Sequence, residues 1–124
     1  SCLLFIPGQP ETTCHTFAGA TVILPCTATS PGELTLSSSM LYWQTDSAVV
    51  HFLHKGKDSL GDQDNRYRGR TSLFLDQLKH GNFSLKLSNV QPGDTNVYHC
   101  IYRQTGDRPS QTQKSKIKLT VSGK

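Results

Sequence analysis

Thr21-Val-Ile-Leu-Pro-Cys26, Met40-Leu-Tyr-Trp-Gln44 and Asp94-Thr-Asn-Val-Tyr-His-Cys100 are the stretches that decide the fold of this chain. In order, they offer a cysteine closing an apolar run, a tryptophan about a strand and a turn later, and a second cysteine preceded at two residues by a tyrosine. Around them, 124 residues leave room for one domain with a real core. A hydrophobic content of 35% suits packed sheets whose strands are half polar. Four cysteines point to an oxidising compartment, because a cytosolic chain rarely keeps such a framework. Zinc would want closely spaced cysteine pairs, and no two cysteines lie closer than Cys2 and Cys14, so no metal site and no cofactor are expected. The formal net charge of +4 comes from basic residues scattered along the chain, without a run of five or six like charges. Aromatic residues do not interleave with lysines as a stacking platform requires, so the charge reads as a solvated basic surface and no nucleic-acid partner is expected. No stretch of about 18 apolar residues is present to span a membrane. The chain reads as an extracellular module.

The cysteine, tryptophan, tyrosine and cysteine in that order and spacing resemble the immunoglobulin signature. The resemblance implies two antiparallel sheets packed about 10 Å apart, a Cys26–Cys100 disulfide across the gap and the Trp43 indole filling the volume beside it. Four cysteines allow three connectivities, and the one consistent with this sandwich pairs Cys26 with Cys100 and Cys2 with Cys14. The second bridge would tie an N-terminal extension, residues 1–17, back onto strand A of a domain running over residues 18–122. Leu3-Leu-Phe-Ile6 reads as a short strand or as the tail of a signal peptide, and Pro7-Gly8 supplies a turn.

With Cys26 inward, a period of two puts Val22 and Leu24 inward as well. Pro25 conflicts locally, since proline cannot donate to a ladder. Residues 27–39, rich in Ser, Thr, Pro and Gly, form a loop that corresponds to the first binding loop of a variable domain. Strand C (about 40–45) turns Leu41 and Trp43 inward and Met40, Tyr42 and Gln44 outward. After a turn at Asp46-Ser47, strand C′ (49–54) sets His51 and Leu53 on the outer face against Val50 and Phe52. Residues 55–65 hold a short strand C″, residues 71–75 strand D, and Phe83, Leu85 and Leu87 alternate with polar residues in strand E. Strand F carries Tyr98 and Cys100 inward and Val97, His99, Ile101 and Arg103 outward. Strand G (about 115–121) turns Ile117, Leu119 and Val121 inward and Lys114, Lys116 and Lys118 the other way. The 56 residues between Trp43 and Cys100 accommodate C′, C″, D and E. The expected fold is therefore all-β, a variable-type sandwich of about nine strands with Greek-key connections.

Smaller groupings follow from the same reading. Tyr98 occupies the tyrosine-corner position, its hydroxyl returning to the backbone near Asp94. Asp94 is expected to pair with Arg70, or with Arg68 if the register shifts by two. Asn82-Phe-Ser84 satisfies the N-glycosylation sequon at an expected turn. Five histidines raise the question of catalysis, but His51 and His54 would point to opposite faces of one strand. No G-x-S-x-G elbow, HExxH pair or phosphate-cradling glycine loop is present, so neither an enzyme nor a small-molecule substrate is expected.

Three further segments are more specific than the sandwich signature. They are Lys55-Gly-Lys-Asp58, Arg68-Gly-Arg-Thr-Ser-Leu-Phe74 and Asp76-Gln-Leu-Lys-His-Gly-Asn-Phe-Ser-Leu-Lys-Leu-Ser-Asn-Val90. Over about residues 18–122 they resemble the membrane-distal variable domain of T-cell co-stimulatory and checkpoint ligands, the B-seven/butyrophilin family. Tyr42-Trp-Gln-Thr45 followed by Val49-Val50 is similar to the inducible T-cell co-stimulator ligand, and the Arg-Gly-Arg-Thr segment to the T-cell activation inhibitor branch. The resemblance implies binding to a T-cell co-signalling receptor of the immunoglobulin superfamily, through the face built from strands G, F, C and C′. Carried onto this sequence, that face is Met40, Tyr42, Gln44, His51, Leu53, His99, Ile101, Arg103, Lys114 and Lys116. It also implies the secretory pathway and the outer face of the plasma membrane, with a constant-type domain and a membrane span beyond Lys124. Two rival readings are a homophilic adhesion or virus-receptor module and an antigen-receptor-like variable domain. The glycine-free Gln111-Thr-Gln-Lys-Ser-Lys116 counts against the latter, whose G strand carries a Gly-x-Gly bulge.

Overall fold

The computed structural model describes residues 2–4, 11–29, 34–104 and 111–123. The turn expected at Pro7-Gly8, the end of the Leu3-Ile6 run and residues 30–33 of the first loop lie outside them. Among the described residues, ten strands form: β1 (Cys2–Leu4), β2 (Glu11–Phe17), β3 (Val22–Leu24), β4 (Ser39–Gln44), β5 (Val49–His54), β6 (Lys57–Asp58), β7 (Thr71–Leu73), β8 (Leu85–Leu87), β9 (Asn96–Gln104) and β10 (Gln111–Ser122). They build a seven-stranded sheet in the order β1-β2-β10-β9-β4-β5-β6 and a three-stranded sheet in the order β3-β8-β7. Among these strands β2 and β10 run parallel, and the other described pairs are antiparallel. The fold is an all-β variable-type sandwich.

Period-two burial holds the sheets together. Val22 and Leu24 are buried with Ile23 exposed between them, and Ile117, Leu119 and Val121 are buried between exposed lysines. The core centres on Trp43, which is fully buried and donates its indole N–H to the Phe83 carbonyl at 2.9 Å. The Phe83 ring stacks on Tyr102 with centroids 4.2 Å apart. Cys26 and Cys100 are bonded across the two sheets. Pro25 does not break a ladder, because β3 ends at Leu24. The Cys26 N–H finds the Ser84 hydroxyl instead, at 3.2 Å, and the Cys26 carbonyl accepts from the Phe83 N–H at 2.8 Å. The proline thus stands where its missing donor costs nothing.

The corner after β8 closes through buried polar contacts. The Tyr98 hydroxyl donates to the Asp94 carbonyl at 2.6 Å and lies 3.1 Å from the Tyr67 hydroxyl. Burial, and then the Tyr67 contact, push the Tyr98 phenol far above its ordinary range. Of the two candidate arginines, Arg70 makes the pair: its guanidinium reaches both Asp94 carboxylate oxygens, at 2.9 and 3.0 Å. The same carboxylate accepts the Gln91 N–H at 2.8 Å, so the turn at Pro92–Asp94 is clamped from two sides.

The N-terminal segment is part of the sandwich. β2 pairs with β10 from Glu11 to Phe17, and β1 adds an outer edge strand to it. Cys2 faces Cys14 across that edge and the two are bonded. Cys14 is fully buried in the core, and the Cys2 sulfur lies 3.5 Å from the Ile23 carbonyl of the other sheet. The bridge therefore fills the gap where the two sheets' edges meet.

Candidate protein-interaction face

Register determines what the outer face of the large sheet presents. Partners directly opposite on neighbouring strands share a face. Across β5, β4, β9 and β10, Phe52, Tyr42, Ile101 and Lys114 form one row. His54, Met40, Arg103 and Thr112 form the next, and Gln44, His99 and Lys116 a third. The first row has an aromatic centre: Tyr42 and Phe52 stack with centroids 4.5 Å apart, and Phe52 stacks in turn on His54 at 5.9 Å. The Tyr42 hydroxyl donates to the Met40 sulfur at 3.8 Å. All of these rings are only partly covered or exposed.

Two expected members of this face are not on it. His51 and Leu53 are each 1% exposed and lie inside the sandwich. Their partners are Trp43 and Leu41, both inward residues, so register carries His51 and Leu53 inward too. The cause is an irregularity between Trp43 and Gln44, where the ladder skips Val50 and Gln44 pairs with Val49. That extra residue reverses the phase of β5 and brings Phe52 and His54 outward in their place. Strict alternation from the start of the strand has no means of detecting it. The sequence does contain a signal, the adjacent Val49-Val50 pair before a mixed His-Phe-Leu-His run, but only cross-strand partners resolve it. His51 tolerates burial because both ring nitrogens are satisfied: Nδ1 lies 2.8 Å from Thr71 Oγ1 and Nε2 lies 2.8 Å from Asp58 Oδ1.

The remaining expected residues do meet. Met40, Tyr42, Gln44, His99 and Ile101 are partly covered on the outer face, and Arg103, Lys114 and Lys116 are exposed beside them. Gln44, Asp46, His99, Ile101, Lys114, Ser115 and Lys116 line an open depression of about 350 Å³. Its floor is apolar at Ile101, and its wall is cationic, tempered by Asp46, whose carboxylate lies 3.4 Å from His99 Nε2. An aromatic and aliphatic centre with a charged rim is the anatomy of a protein–protein contact.

Asn82 lies beside the small sheet, bridged to Thr27. Its side chain donates to Gln77 Oε1 at 2.6 Å and accepts from the Ser84 N–H at 3.1 Å. Among the described residues, no three metal-ligating side chains converge and no helix is long and apolar enough to cross a membrane.

Comparison with known proteins agrees with this architecture. The family model of the immunoglobulin V-set domain matches residues 9–122, and the chain belongs to that family of non-enzymatic immunoglobulin modules. Human V-set domain-containing T-cell activation inhibitor 1 is 41% identical over 80 residues, which is 63% of this chain and 28% of that protein. The crystal structure of the human B7-H4 IgV-like domain superimposes with a TM-score of 0.75 at 32% identity, covering 90% of this chain and 91% of that one. A chain in the crystal structure of ICOS in complex with ICOS-L and an anti ICOS-L VNAR domain gives 0.77 at 26% identity, covering 93% and 55%. The chain therefore spans only about a quarter of the length of the first of these relatives. The likeness to T-cell ligands read from residues 55–58, 68–74 and 76–90 agrees with these relatives.

Proposed function

We propose that this chain is the receptor-binding V-set domain of a cell-surface ligand of the B-seven/butyrophilin kind. It engages an immunoglobulin-superfamily co-signalling receptor on T cells and thereby regulates T-cell activation. The observation that carries this reading is the outward-facing, partly covered Phe52–Tyr42–Ile101 row at the centre of the large sheet, on a domain similar over nine tenths of its length to the human B7-H4 IgV-like domain. The receptor face is Met40, Tyr42, Gln44, Phe52, His54, His99, Ile101, Arg103, Lys114 and Lys116. A flat, shallow surface of this kind binds weakly one to one, and copies arrayed on a membrane convert weak contacts into firm engagement. The protein acts at the outer face of the plasma membrane, anchored by segments beyond this domain. Asn82, beside the small sheet, carries the glycan on the side away from the receptor.

The test is staining of activated T cells by multimers of the soluble domain. Wild-type multimers stain, and Tyr42→Ala multimers lose at least tenfold in staining while melting at nearly the wild-type temperature. Undiminished staining by Tyr42→Ala overturns the assignment of the face. An absence of staining by the wild type on any activated T-cell population overturns the ligand reading itself.

A further inference from the structure

On β10, Lys114, Lys116 and Lys118 occupy alternate positions on the outer face, and all three are exposed. At about 3.4 Å per residue they span about 14 Å in a straight line. Arg103, exposed on β9 and in register with Thr112, extends the line beyond Lys114. None of these four cations makes an ion pair among the described residues, whereas Arg66 and Arg70 are both paired. The nearby carboxylates are Glu11, which is opposite Lys116 on β2, and Asp46, which is engaged with His99. Hydroxyls flank the line: Thr13 is opposite Lys118 on β2, and Thr112 is two residues before Lys114.

We infer that this stripe is a binding site for a sulfated glycosaminoglycan chain of the cell surface. The site is linear, and so is the ligand. Three lysines on one rigid strand hold point charges at fixed intervals, which suits successive sulfates along a polysaccharide better than a single carboxylate on a folded partner. The adjacent hydroxyls donate hydrogen bonds to sulfate oxygens. The stripe runs along β10 past the aromatic row and continues beside β2, so Lys118 lies outside the proposed receptor face. The two sites meet at Lys114 and Lys116 and are separable at Tyr42 and Lys118. A bound chain at this position concentrates the domain at the cell surface and competes with any receptor that reaches Lys114.

The experiment measures binding of size-defined heparin fragments to the folded domain across a salt series. The variants are Lys114→Thr/Lys116→Thr/Lys118→Thr and, as a control of equal charge change, Arg68→Thr/Lys79→Thr/Lys86→Thr, whose three side chains are exposed elsewhere. The stripe variant loses at least tenfold in affinity, and its slope of log affinity against log salt falls by two to three, as expected when that many counterion-releasing contacts disappear. The control variant changes less than threefold. Equal loss in both variants, or loss in neither, overturns the site in favour of diffuse attraction to a basic protein. Tyr42→Ala keeps wild-type heparin binding, so failure of the receptor reading and failure of this one give different patterns.

Discussion

His51 lies at 1% exposure between Thr71 and Asp58, each 2.8 Å from a ring nitrogen. Gln63 donates to Thr71 Oγ1 at 2.8 Å and to the Val50 carbonyl at 2.9 Å, which leaves the threonine proton free for His51 Nδ1. On the other side of the ring, Nε2 faces Asp58 Oδ1. Four polar groups close on one another, so removing one strands the rest. His51→Ala should cost about 2–3 kcal/mol in chemical denaturation, combining lost hydrogen bonds with a cavity. Staining of T cells per folded molecule should not change. Phe52→Ala should do the reverse, costing about 1 kcal/mol from lost stacking while abolishing staining. If His51→Ala reduced staining without loss of stability, the inward assignment of β5 would be wrong.

At the scale of elements, the β1–β2 hairpin is the part that departs from a minimal sandwich. β1 contributes three residues, with Leu3 73% exposed, and its ladder alone is too short to persist. What secures it is the Cys2–Cys14 bond, which closes a separation of 12 residues, against 74 for Cys26–Cys100. On the chain-entropy estimate these correspond to about 3 and about 4.5 kcal/mol. Cys2→Ala/Cys14→Ala should therefore lower stability by about 3 kcal/mol, and the amides of β1 and its partner residues 12–14 should lose far more hydrogen-exchange protection than the core strands. Global loss of protection at low denaturant would mean that the hairpin is required for the whole fold. The Cys2–Cys14 pairing agrees with the connectivity that the sandwich implied. The place of the hairpin in the large sheet was not legible in the sequence, because a parallel pairing of β2 with a strand about a hundred residues later leaves no local pattern.

For the molecule as a whole, one exposed face carries both proposed contacts, and the other sheet has three strands among the described residues. A domain whose aromatic row serves a different protein should remain single in solution. Sedimentation at micromolar concentration should give one species of 13.7 kDa plus any glycan. A concentration-dependent dimer that Tyr42→Ala abolishes would favour the homophilic adhesion reading.

The sequence alone determined the class of fold, because Cys26, Trp43, Tyr98 and Cys100 stand in the order and spacing of the immunoglobulin signature and all four bury in one core. It also determined most of the outer face, since β4, β9 and β10 keep strict alternation from a known inward residue. The tertiary structure decided which way β5 faces. One skipped residue opposite Gln44 turns His51 and Leu53 in and Phe52 and His54 out, and its cause is the pairing of two strands rather than a pattern within either.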